Sequence, residues 1–210
     1  SVADITAHYG ERAVALELDV TNRDQVRAAA AAAPDVDLLI NNAGVAEHGD
    51  APFEDEQWLD AGRREFEVNV LGTLDLTQRF APILAQNGGG GVANVVSIAG
   101  LVTFPLFFSY AASKAALHNI TQGTRLFLAP QGTSVFGIYP GPVDTDMAED
   151  LPFEKVTPAS VAQAILAGIE AGTEEIFPDQ MAEQFGDAYA ASPKGLEQQV
   201  AAMAAEGAAA

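Results

Sequence analysis

Short apolar runs alternate with stretches of helical spacing along most of this chain, and that alternation narrows its fold more than any other feature. Ala13 to Leu18, Val36 to Ile40, Val92 to Ser97, Thr133 to Tyr139 and Glu174 to Phe177 read as strands, bounded by Gly, Pro, Asn and Asp. Between them, Asn22 to Ala33, residues 54 to 86, Ser109 to Leu128 and Thr157 to Ala171 read as helices. Pro34 and Pro130 close two of these, and Thr157 followed by Pro158 starts another. The long stretch from 54 to 86 is expected to break near Gly62, and the Ala-rich tail after Pro178 is helical. Strands and helices at this spacing predict an α/β fold, a doubly wound parallel sheet in one domain over 1–210. The run Gly88 to Gly91 precedes a strand, not a helix N-terminus, so it reads as a flexible surface turn and not a phosphate cradle.

In open parallel sheets, ligands bind beyond the carboxyl ends of the strands. Asp19 and Val20, Asn41-Asn-Ala-Gly44, Ser97, and Pro140-Gly-Pro-Val-Asp-Thr145 all follow predicted strands. Asn69, in Asn-Val-Leu-Gly72, instead falls within a helix, where asparagine is a mediocre choice. Tyr110 and Lys114 lie four residues apart at the start of another, so phenol and ammonium share one helical face. A free tyrosine keeps its proton until about pH 10, and a neighbouring cation favours its phenolate. The spacing therefore suggests a phenol whose pKa is drawn toward the working range, with Ser97 able to donate to the same substrate oxygen. Phe104, Pro105, Leu106, Phe107 and Phe108 read either as core or as an apolar wall beside that oxygen.

Composition removes several function classes. With 210 residues, 49% hydrophobic and 19% charged, the chain has enough apolar surface for a packed core. The net charge of −19 makes nucleic acid an unsuitable partner. No apolar stretch is long enough to span a membrane, and no secretory signal is evident. Absence of cysteine rules out disulfides and fits a cytoplasmic setting, and His8, His48 and His118 have no ligand-like spacing, so no metal is expected.

Taken together, Asp19-Val20, Asn41-Asn-Ala-Gly44, Asn69-Val-Leu-Gly72, Ser97, Tyr110-x-x-x-Lys114 and Pro140-Gly-x-x-x-Thr145 resemble the compact single-domain short-chain dehydrogenase/reductase family, from about Ala13 to Phe177. The resemblance implies a Rossmann-like fold and an NAD- or NADP-dependent oxidoreductase interconverting an alcohol and a carbonyl. Tyr110 would be general acid or base, Lys114 would lower its pKa and bind the nicotinamide ribose, and Ser97 would polarise the carbonyl. Asn69 would hold a water linking Lys114 to solvent. Asp19 and Val20 would meet the adenine, and Asn41, Ala43 and Gly44 would line the adenosine side. Pro140, Gly141, Val143 and Thr145 would seat the nicotinamide. The implied assembly is a homodimer or homotetramer through the helices at 54–86 and 109–128.

Members of that family open with a strand, a Gly-rich turn and a helix that bind the pyrophosphate, and this sequence has no such unit. The expectation is an N-terminally truncated domain lacking roughly forty residues of the family pattern. Such a chain is expected to bind cofactor poorly and to leave an unpaired edge where the first two strands would stand. Two other readings stay open: an interaction protein that keeps the fold without cofactor, and a sugar-nucleotide epimerase or dehydratase. The short C-terminal part and the Pro140-Gly141 turn disfavour the last. Asp146 to Val156 is expected to lie over the substrate, with Met147, Leu151 and Phe153 favouring a lipophilic carbonyl or alcohol.

Overall fold

A computed structural model describes residues 2–47, 55–149 and 153–208. In chain order these form α1 (Val2–Tyr9), α2 (Arg23–Ala32), β1 (Leu38–Asn41), α3 (Gln57–Glu65), α4 (Thr73–Gln86), β2 (Gly91–Val95), α5 (Phe108–Leu128), β3 (Ser134–Ile138), α6 (Pro158–Glu170), β4 (Glu175–Ile176), α7 (Gln180–Ala191) and α8 (Pro193–Ala208). A π-helical segment, Phe66–Gly72, joins α3 to α4. The four strands form one parallel sheet in the order β1-β2-β3-β4.

Alternation along the strands sends neighbouring side chains to opposite faces. Val92 and Val135 pack with Leu84 of α4 and Leu128 of α5, whereas Ala93 and Phe136 pack with Ile165 and Ile169 of α6. Helices therefore cover both faces, as a doubly wound sheet requires. Ile98, just after β2, meets Ala182 and Phe185 of α7 and Leu196 and Val200 of α8, so the tail contributes Leu196 and Val200 to the core.

Local chemistry explains the helix boundaries. Asn22 caps α2 by accepting from the backbone N–H groups of Asp24 and Gln25, and Thr157 caps α6 by accepting from that of Ser160. Pro158 occupies the first position of α6. After α5, a short 3₁₀ turn over Ala129–Gln131 ends on Gly132 in the left-handed region, just after Pro130 interrupts the helix.

Three expectations change. Ala13 to Leu18 is not a strand; no strand pairs with it among the described residues, and Val14 is 82% exposed. Leu16 and Leu18 instead face the outer edge of β1 across a groove of about 300 Å³. Gly62 does not break its helix. It lies within α3 facing α5, where a Cβ would make an ordinary contact 3.6 Å from Ser109 Cβ, and the irregularity falls in the π-helical turn instead. The turn Gly88 to Gly91 is pinned. Gly89 N–H donates to Leu84 O at 2.8 Å, Thr133 Oγ1 donates to Gly89 O at 2.6 Å, and Gly90, at φ +60°, passes so near Asp37 O that a Cβ would lie 2.1 Å away.

A polar line crosses the sheet interior. Asn41 and Asn94 are register partners on β1 and β2, and Asn41 Nδ2 donates to Asn94 Oδ1 at 2.8 Å and to Thr77 Oγ1 of α4 at 3.1 Å. Asn94 Nδ2 donates to Thr121 Oγ1 of α5 at 3.0 Å, and both threonine hydroxyls donate to carbonyls one turn back. These buried amides tie α4 and α5 to fixed positions on the strands. Replacing Asn94 by Ala strands groups on both sides, so we expect a loss of about 2 kcal/mol of stability. It is read as a lower urea midpoint at unchanged slope.

Candidate active site

The site forms where β2 and β3 end. Parallel pairing continues past both strands: Val96 N–H donates to Ile138 O at 2.7 Å and Ile98 N–H to Pro140 O at 3.1 Å. Ser97 and the Pro140 turn are thereby held side by side. Ser97 caps the following 3₁₀ turn, its Oγ accepting from Ala99 N–H at 3.1 Å. That turn lies tightly on α5, because a Cβ on Gly100 would be 2.8 Å from Lys114 O. Contact between these segments sets the height of α5 and so the placement of Tyr110 against Ser97.

The Ser97 hydroxyl lies near enough to the Tyr110 phenol to favour the phenolate, but burial outweighs it and pushes the phenol up to about 12. The charge of Glu65 adds to the rise. Lys114 Nζ stands 5.6 Å from the Tyr110 ring centre and donates to Val95 O at 2.8 Å. Burial lowers its ammonium to about 8. The expected pull of Lys114 on the phenol is therefore overridden in this state. An ammonium has three donors, and Val95 O is the acceptor described for this one, so it retains capacity for further oxygens.

Asn69 is fully buried on the π-helical turn. Its Oδ1 accepts from Val45 N–H at 2.8 Å, and its Nδ2 donates to Val45 O and to Ser113 Oγ, both at 2.9 Å. Ser113 Oγ donates in turn to Tyr110 O at 2.8 Å. The loop after β1, the π turn and α5 are thus cross-linked through one side chain. At Gly44 an added Cβ would fall 3.3 Å from Asn69 Oδ1 and 3.5 Å from Lys114 Nζ. The missing side chain leaves a polar recess shared by those two residues.

The other sequence candidates lie around this centre. Asp19 is exposed; its Oδ1 accepts from Thr21 N–H at 2.9 Å and Thr21 Oγ1 at 2.8 Å, bonds that hold its carboxyl below the ordinary range. Val20 is buried against Gly72, where a Cβ would lie 2.7 Å from its Cγ2. The Asn41 amide is spent inside the sheet, with Oδ1 alone unpartnered. Beside it Ala43 lines the β1 groove. Gly141 N–H donates to Asp179 Oδ2 at 2.8 Å, while Oδ1 of the same carboxylate caps α7 by accepting from Ala182 N–H at 2.9 Å. Val143 bridges to Val156, and Thr145 Oγ1 donates to Val143 O at 3.3 Å.

The aromatic cluster divides. Phe104 packs on Phe185 at 5.8 Å between ring centres and belongs to the core, Phe107 stands edge-on to Tyr110 at 6.0 Å, and Phe108 meets Trp58 at 6.4 Å. Met147 and Phe153 are exposed, and Leu151 lies outside the described residues. Among the described residues, no group of three His, Asp or Glu side chains could hold a metal ion, and no helix is long and apolar enough to cross a membrane.

With this geometry in hand, comparison with known proteins decides the family. Residues 1–155 match the family model described as short chain dehydrogenase. The chain belongs to that family. Among curated short-chain dehydrogenase relatives, the uncharacterized oxidoreductase YusZ of Bacillus subtilis is 37% identical over 134 residues, 62% of this chain and 46% of that protein. Ketoacyl reductase HetN of a Nostoc species is 31% identical over 182 residues, 81% of this chain and 62% of that protein. Among solved structures, a short chain dehydrogenase from Burkholderia cenocepacia in complex with NADP shares 38% identity at a TM-score of 0.84, covering 91% of this chain and 82% of its own. One from Burkholderia phymatum in complex with NAD shares 26% at 0.76, covering 88% and 77%. The chain spans about half the length of the first curated relatives it matches.

Sequence reading missed three groups that build the site: Ser113, Asp179 and Glu65. Ser113 had a signal, being one turn beyond Tyr110 on its helix, and Glu65 lies four residues before Asn69 on another. Asp179 had none, since its partner Gly141 is thirty-eight residues away. The Lys114 environment is directly measurable. In a lysine-¹³C-labelled chain, we expect one side-chain resonance to titrate near 8, and Lys114→Met to remove it.

Proposed function

We propose that this chain is the catalytic part of an NAD- or NADP-dependent oxidoreductase that interconverts an alcohol and a carbonyl, with 1–210 acting as a single Rossmann-like unit. The observation that carries this reading is Tyr110 beside Ser97 and 5.6 Å, at its ring centre, from the ammonium of a buried Lys114 with spare donors. The residues suit a dinucleotide. Lys114 and the Gly44 recess offer donors and space for ribose hydroxyls, Asp19 keeps Oδ2 for an adenine amino group, and Val20, Asn41 and Ala43 bound that side. Pro140, Gly141, Val143 and Thr145, fixed through Asp179 and Val156, form the wall for the nicotinamide. When bound, the nicotinamide supplies or accepts the hydride.

The chain's own residues handle the proton. Tyr110, titrating at about 12, is protonated at neutral pH and serves as the acid of carbonyl reduction. Ser97 donates to the same oxygen and stabilises charge developing there. Lys114 steadies the ribose, and Asn69 with Ser113 fixes the helix that carries Tyr110, leaving the recess at Gly44 for a water that resupplies the proton. Alcohol oxidation needs the phenolate, so its rate rises with pH toward that limit.

Phe107 beside Tyr110 and the exposed Met147 and Phe153 support a lipophilic small-molecule substrate. Exposed Leu59 and Phe66 beside α3 and Phe108 on α5 support a homodimer or homotetramer. A cytoplasmic location completes the reading, with no membrane or nucleic-acid partner. Two measurements test it. Fluorescence titration with NADPH and NADH should show saturable binding of one once a Gly-rich N-terminal unit is restored, and absence of binding to either in that longer chain would sink the reading. Tyr110→Phe should lower kcat by roughly 10²–10⁴-fold with cofactor affinity kept, and unchanged turnover would contradict the assigned acid.

A further inference from the structure

Glu65 is the largest buried charge-bearing group left without a task. Its side chain is fully buried at the C-terminal end of α3. Oε1 accepts from Glu47 N–H at 2.7 Å, in the loop that Asn69 grips two residues earlier through Val45. Oε2 has no hydrogen-bond partner, and neither has the hydroxyl of buried Ser109, the residue just before Tyr110. Ser109 lies near enough to weigh on the Glu65 carboxyl without closing a normal hydrogen bond. A buried carboxyl so weakly partnered is costly unless it does something its position requires.

We propose that Glu65 is a positioning residue for Tyr110: one carboxyl oxygen seats the loop at Glu47, and the other faces Ser109, so its charge state sets the field at the phenol. This rests on the reading of Tyr110 as the proton-transfer group. Among the described residues, the charged groups that act on the carboxyl are Glu47 and Arg64. Glu47 comes from the loop, and its own carboxylate is paired with Arg64, which adjoins Glu65 on α3; Tyr110 stands on α5. Burial and the Glu47 charge raise the Glu65 pKa, while the bond from Glu47 N–H, the nearby Ser109 hydroxyl and the charge of Arg64 oppose that rise. As a neutral acid it can donate from Oε2 to Ser109 while Oε1 keeps the Glu47 bond, which satisfies all three groups. As an anion it opposes the Tyr110 phenolate. Protonation of Glu65 therefore eases ionisation of Tyr110, and loss of that proton delays it.

The test needs no turnover. In the full chain labelled with ¹³C at glutamate Cδ and tyrosine Cζ, Glu65→Gln and Tyr110→Phe identify the two resonances by their disappearance. Glu65 is expected to titrate above the ordinary glutamate range, with the Tyr110 signal moving over the same pH interval and that inflection absent from Glu65→Gln. An ordinary Glu65 titration, or a Tyr110 signal indifferent to it, would overturn the proposal. In alcohol oxidation, Glu65→Gln should move the alkaline rise of kcat toward acid by about one pH unit, with KM little changed. An unmoved rise with a lower kcat would reduce Glu65 to a structural role and also refute it. If the two resonances are coupled while the wild type shows no cofactor-linked turnover, the oxidoreductase reading fails and the positioning role stands.

Discussion

The site depends on parallel pairing that does not stop where the strands do. By continuing from Val96 to Ile138 and from Ile98 to Pro140, the ladder holds two chain reversals at one height above the sheet. Ser97 leaves on one and the Pro140 turn on the other. The bonds below set the position of each, with the 3₁₀ turn after Ser97 and the Asp179 carboxylate at Gly141 adding to the hold. The same dependence explains the Asn41–Asn94 pair: it locks register one step before the strands end, where a slip would carry Ser97 away from Tyr110.

Burial dominates the electrostatics. Opposite charges four residues apart invite the inference that each stabilises the other, yet the phenol is raised and the ammonium lowered, both chiefly by desolvation. Coulomb attraction requires both partners ionised, and a dry recess disfavours that for each. The free site thus holds its proton on Tyr110 and weakens its hold on the one at Lys114. This arrangement suits the acid role proposed for Tyr110.

Much of the fold was legible because its signals are local. Asn22 and Thr157 cap helices through hydrogen bonds to residues two or three positions on, and Pro130 ends α5 by removing a donor. The strands over β1 to β4 were readable as short apolar runs between turns. Ala13 to Leu18 has the same composition, but a strand is defined by its partner, and no described segment pairs with it. Gly90 misleads for the same reason: whether a glycine marks a loose turn or a close approach depends on what passes beside it, here the carbonyl of Asp37. Ser97, Tyr110 and Lys114 were legible as a pattern and do converge. The Asp179 carboxylate that holds Gly141 was not, because nothing in the local sequence ties an aspartate at a helix start to a turn so far upstream.

The strong acidity of the chain, −19 overall, also acquires a local meaning. Arg27, Arg63, Arg64, Arg79, Arg125 and Lys194 each sit within salt-bridge distance of a carboxylate, so much of the scarce positive charge is already neutralised. Lys114 is different, being buried and forming no salt bridge with a described carboxylate. At physiological salt, distant surface charges are screened over about 8 Å, which leaves recognition of an oxygen-rich ligand to what lies within the recess. Lys114, Asn69 and the backbone at Gly44 are the groups there. An acidic exterior and an oxygen-binding centre are therefore compatible, because water and salt separate the first from the second while burial sharpens the second.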